Sequence, residues 1–153
     1  MSKIFLFFFK VLSIFIKKDK NLITIVFRGY SGSNATPIIE KMQAQNNKRY
    51  KIKILIEDNR KINMEMPWSE KLDIFYKKLE KYFCVLKSQL VITTHGFYRL
   101  RNDNIMLNLW HGIPLKAMAL MNKGKTDKIG FIQDDYFLST SEFYNTLMNA
   151  CPG

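Results

Sequence analysis

Five short apolar runs punctuate the chain: LITIVF (22–27), KIKILIE (51–57), QLVITT (89–94), IMLNLW (105–110) and YFLST (136–140). Most are continuous rather than alternating, which suits strands buried on both faces of a parallel sheet. Stretches of helical spacing lie between them. Residues 35–45 follow Ser33 and Asn34, both good N-caps, and carry Pro37 in the first turn. Residues 69–87 follow Pro67 and repeat Leu72, Phe75, Leu79, Tyr82, Phe83 and Leu86 on one face, with lysines on the other. Pro114 opens a short helix over 115–121, and Ser141 caps a last helix over 141–149. The longest loops are expected at 59–68 and 122–135. Strand and helix alternate, so the pattern predicts an α/β fold with a doubly wound, Rossmann-like parallel sheet. If the first strand is central, the expected strand order is 3-2-1-4-5.

The N-terminus has a different pattern. SKIFLFFFKVLSIFIKK is apolar from Ile4 to Ile16 apart from Lys10 and Ser13. Thirteen helical residues reach about 20 Å, short of the roughly 30 Å hydrocarbon core of a bilayer. Lys10 interrupts the apolar region and no small-residue cleavage site follows, which argues against a signal peptide. Lys3, Lys10 and Lys17 recur every seven residues and, with Ser13, form one narrow polar stripe on a cylinder otherwise rich in Phe. Two readings stand at this point. The helix lies in a membrane interface with its lysines toward lipid phosphates, or it packs on the domain's own core. The chain thus divides into an amphipathic helix over 1–18 and a Rossmann-like lobe over 19–153.

Composition narrows the class. The 153 residues suffice for one domain with a core, and 47% apolar with 14% aromatic residues excludes a disordered chain. A net charge of +11 suits an anionic partner. Nucleic acid is a poor candidate, because the aromatics fall in strands and on apolar helix faces rather than among the basic residues. Cys84 and Cys151 show neither metal nor redox spacing, and two histidines with two isolated cysteines provide no metal site. Reduced cysteines fit a cytoplasmic setting.

Sites in open α/β sheets form at the carboxyl ends of strands, where strand order reverses. With the expected order, that point lies between strands one and four. The loop Arg28-Gly29-Tyr30-Ser31-Gly32-Ser33-Asn34 would meet His111-Gly112-Ile113-Pro114 there. The first loop lacks the G-x-G-x-x-G spacing and locally reads as a turn plus N-cap. Glu57 lies 28 residues after Gly29, against about 20 for a ribose-binding acid, so NAD binding is disfavoured. His111 is a candidate general base at a rigid strand end, and Gly112 would let a ligand approach the backbone. His95, in TTHGFY, would lie on an edge strand far from this crevice and is read as structural or substrate-peripheral.

The stretch WHGIPLK (110–116) resembles the WHG-x-PLK signature of the CDP-glycerol:poly(glycerophosphate) glycerophosphotransferase family, the teichoic-acid polymerases and primases. FRGYSGSNATPIIEKM resembles that family's first strand, loop and helix, and YFLSTSEFYNTLM its segment before a second lobe. The resemblance implies the N-terminal, acceptor-side lobe of a GT-B architecture, with the CDP-linked donor held by a second lobe that the chain is expected to lack. It implies a transferase of teichoic-acid-like or capsular polymer synthesis, peripheral on the cytoplasmic face of the cell membrane. A lipid-linked polyol phosphate would be the acceptor, and no cofactor is implied. His111 would be the general base. Gly29, Tyr30, Ser31, Asn34, Trp110, Gly112 and Lys116 would contact substrate. Ile113 departs from the family's usual Thr, which removes a hydroxyl. The alternative is an inactive truncated module that binds anionic membrane or polymer. The resemblance does not distinguish glycerol from ribitol phosphate, or primase from polymerase.

Overall fold

The computed structural model describes residues 3–27, 33–45, 48–57, 65–95, 97–109, 134–139, 141–142 and 145–146. The chain begins with α1 (Lys3–Phe15), followed by β1 (Asp19–Phe27), α2 (Ala35–Ala44), β2 (Lys51–Ile56) and α3 (Trp68–Lys87). After these come β3 (Ser88–Thr93), β4 (Ile105–Asn108) and β5 (Tyr136–Phe137). All five predicted strands are present and every neighbouring pair is parallel. The fold is therefore the expected α/β, Rossmann-like sheet preceded by a helix.

The strand order is β2-β1-β3-β4-β5, not 3-2-1-4-5. The reason is visible in the two cores. One gathers Phe9 of α1 and Val85 and Leu86 of α3 over Val26, Leu55, Val91 and Met106. The other gathers Ala35 of α2 over Ile23, Ile25, Ile92 and Leu109. α2 and α3 thus cover opposite faces. Right-handed connections stepping one way along a sheet keep their helices on one face, so opposite faces require the chain to step back past β1. β1 then needs cover on both sides, and its run Ile23-Thr24-Ile25-Val26 is buried throughout. β2 becomes an edge. Its alternating Lys51 and Lys53 are exposed and pair with Asp19 at 2.9 Å and Glu80 at 2.6 Å, charges that blunt an open edge.

Two buried hydroxyls inside the sheet are satisfied in series. The Ser88 hydroxyl donates to the Cys84 carbonyl at 2.7 Å at the end of α3, so the buried Thr24 hydroxyl donates to Ser88 Oγ at 2.5 Å. This ties the middle of β1 to the start of β3. Cys84 itself is half-buried, and burial pushes its thiol above the ordinary range.

α1 packs on the domain's core along one side, the second of the two readings of its pattern. Phe9 is 2% exposed and packs on Tyr82, with ring centroids 4.9 Å apart; Leu12 and Ile16 pack beside it. Arg101 donates to the carbonyl of Ile16 at 2.6 Å and also reaches the carbonyl of Leu86, while Lys18 pairs with Asp103. The opposite side of the helix leaves Phe7 70%, Ile14 77% and Phe15 79% exposed. Among the described residues, no helix is long and apolar enough to cross a membrane. At the other end of the chain, the amide of Asn145 donates to the carbonyl of Ser141 at 3.1 Å, a helical bond where the last helix is expected. The predicted helix over 115–121 lies outside the described residues.

Candidate functional site

The order places the reversal between β1 and β3, so the crevice expected between strands one and four has β3 at its centre. Of the candidate residues, Asn34 is described. Gly29, Tyr30, Ser31, Trp110, His111, Gly112 and Lys116 lie outside the described residues.

Of the two predicted caps, Asn34 does not act as one. Its backbone is already helical (φ −59°, ψ −16°) and its side chain makes no capping bond. Ser33 takes that role: its Oγ accepts from the Ala35 amide at 3.3 Å and its carbonyl from the Thr36 amide at 3.0 Å. The Asn34 amide is thereby released to donate to the carbonyl of Leu109 at 3.0 Å. Leu109 donates its own amide to Thr93 at 2.7 Å, which extends the β3–β4 ladder by one residue. One side chain therefore joins the loop after β1 to the strand end that leads into Trp110 and His111, across the end of β3.

Thr93 ends β3 in that position, and the polar Thr94 and His95 follow it directly. Both threonines are buried, and the His95 ring is half-buried. Thr94 Oγ1 and His95 Nδ1 lie 2.8 Å apart. Among the described residues, Thr93 Oγ1 has no hydrogen-bond partner. Phe97 folds back under the sheet onto Tyr82, centroids 6.0 Å apart, with the Lys81 ammonium 5.4 Å from the Phe97 centroid. Lys81 pairs with Glu57 at 3.0 Å, so Glu57 serves an ion pair at the end of β2 rather than a ribose.

Sequence reasoning missed a second polar group beside β4. The buried Asn108 donates to Asp134 Oδ2 at 2.8 Å, while Asp134 Oδ1 has no partner among the described residues. Burial pushes the Asp134 carboxyl up, and neighbouring Asp135 adds to this against the pull of Asn108 and Arg99. Burial acts on Asp135 in the same direction, yet the Met106 amide and Arg99, at 2.7 Å, hold it below the usual range. The only sequence signal was the doublet Asp134-Asp135 before an apolar run. Among the described residues, no cluster of three His, Cys, Asp or Glu could hold a metal ion.

A cleft of about 520 Å³ opens at the opposite, amino-terminal edge of the sheet, lined by Ile16, Lys17, Lys18, Asp19, Lys20 and Lys87. It borders the end of α1 and is separate from the strand-end crevice.

The family model described as CDP-Glycerol:Poly(glycerophosphate) glycerophosphotransferase matches residues 6–152. Neither a curated protein nor a solved structure matches the chain. The family match spans nearly the whole sequence, from α1 through the strand-end loops: the chain belongs to the CDP-glycerol:poly(glycerophosphate) glycerophosphotransferase family.

Proposed function

We propose that this chain is the acceptor-side lobe of a membrane-peripheral glycerophosphotransferase that builds a teichoic-acid-like or capsular polymer. The observation that carries this reading is the Asn34–Leu109 bond, which fastens the first loop to the strand that runs into WHGIPLK. In this reading the acceptor is a lipid-linked polyol phosphate lying over the ends of β1, β3 and β4. His111 takes the proton from the acceptor's terminal hydroxyl. That oxygen attacks the β-phosphorus of CDP-glycerol, the new P–O bond forms, and the bond to CMP breaks with CMP leaving. Such transfer depends on positioning and charge stabilisation, so a base and basic side chains such as Lys116 suffice on the acceptor side, with no cofactor. Gly29, Tyr30, Ser31, Trp110 and Gly112 complete the acceptor contacts, and the CDP-linked donor belongs to a second lobe.

The isolated 153-residue chain should therefore bind acceptor without releasing CMP from CDP-glycerol. Release by this chain alone, abolished by His111→Ala, would overturn the division between lobes. Where both lobes are present, His111→Ala should cut transfer by about 10²–10⁴-fold with little change in KM, the usual range for losing a general base. A full-rate variant would remove His111 from the chemistry.

The same proposal places the protein on the anionic cytoplasmic face of the membrane. Phe7, Phe8, Val11, Ile14 and Phe15 offer an apolar strip, and Lys17, Lys20 and Lys87 beside its end offer charges for lipid phosphates.

A further inference from the structure

We propose that His95 is a second imidazole of the acceptor crevice and that it binds the phosphodiester group of a polyol-phosphate chain. The proposal rests on the acceptor-lobe reading and adds a binding residue to it. It follows from the strand order. β3 lies between β1 and β4, with Thr24 paired to Val91 on one side and Asn108 to Thr93 on the other. Its carboxyl end therefore lies between the carboxyl ends of β1 and β4, which the Asn34–Leu109 bond links. An imidazole two residues beyond Thr93 emerges at the switch point of the sheet, where open α/β folds hold their ligands.

The surroundings suit a ligand-binding ring better than a packing residue. The chain changes from apolar Val91-Ile92 to polar Thr93-Thr94-His95 at this end, and Thr93 carries a buried hydroxyl without a partner among the described residues. Thr94 engages Nδ1, which restrains rotation of the ring. Phe97 is anchored on Tyr82 two residues further on, so the backbone carrying His95 is held from both sides. A phosphodiester is an obligate anion near neutral pH. With Thr94 on Nδ1, the imidazole can present its other ring nitrogen to such an anion. The overall charge of +11 favours the approach of such an anion.

The chain has two histidines, so imidazole ¹H–¹⁵N resonances report on each separately. The labelled chain is titrated with glycerophosphoglycerol, the smallest diester of the acceptor type. The expected result is movement of both imidazoles with one half-saturation concentration. In His95→Gln that concentration should rise about tenfold, the loss of one charge-assisted hydrogen bond. Movement of His111 alone overturns the proposal and leaves the acceptor reading standing. Movement of neither overturns both. The wild-type titration decides the matter even if the variant folds poorly.

Discussion

Asn34 illustrates what a single side chain contributes here. Its amide crosses 75 residues of sequence to the Leu109 carbonyl, a part-buried acceptor. Asn34→Ala leaves that carbonyl unsatisfied, at a cost of about 1–3 kcal/mol, read from the denaturation midpoint. A change well under that range would show that the bond does not clamp the crevice. The sequence offered both Ser33 and Asn34 as helix caps; nothing in it disclosed that Ser33 would cap while the Asn34 amide reached Leu109. His95 was misplaced for a related reason, since its distance from the site depends on which side of β1 its strand inserts. Asp134 was not found at all, because its burial depends on Asn108. Its raised pKa has a definite sign. The folded state favours the protonated carboxyl, so the contribution of this group is fully present below the unfolded pKa and lost as pH rises through the folded pKa. Asp134→Asn should therefore raise the melting midpoint at pH 7, with the gain shrinking as pH falls through the ordinary Asp range. An equal gain at pH 3 would place the effect elsewhere.

At the scale of elements, the existence of strands and of α2 and α3 was legible because apolar runs and helical spacing are local properties. The order was not, because the side on which a helix packs is settled by which face of β1 remains uncovered. α1 packs on the core, one of the two readings its pattern offered. Its apolar arc is wide because one part packs on the core and another faces solvent. Deleting residues 1–18 would therefore remove Phe9 from the core along with the exposed strip. Phe9→Ala should cost about 3–5 kcal/mol, a typical loss for a buried Phe. Replacing Phe7, Phe8 and Phe15 together by Ser should leave the melting midpoint nearly unchanged and abolish sedimentation with anionic vesicles. Undiminished sedimentation of that triple variant would show that this strip is not the membrane contact.

Across the whole molecule, the surfaces separate by position. The strand-end crevice lies at the carboxyl edge, the lysine-lined cleft at the amino edge, and the exposed side of α1 on the face it shares with α3. A central aromatic line, Phe9 to Tyr82 to Phe97, connects that face to the segment after His95. The WHGIPLK stretch was read as a candidate site because a histidine and a glycine follow an apolar strand; it lies outside the described residues. The central claim is that this lobe recognises the acceptor and not the donor. Calorimetric titration of the chain with glycerol-phosphate oligomers and, separately, with CDP-glycerol tests it most directly. The account predicts binding of the oligomers that weakens as salt rises, and no measurable binding of CDP-glycerol. Tighter binding of CDP-glycerol than of the oligomers, or no binding of either, would contradict it.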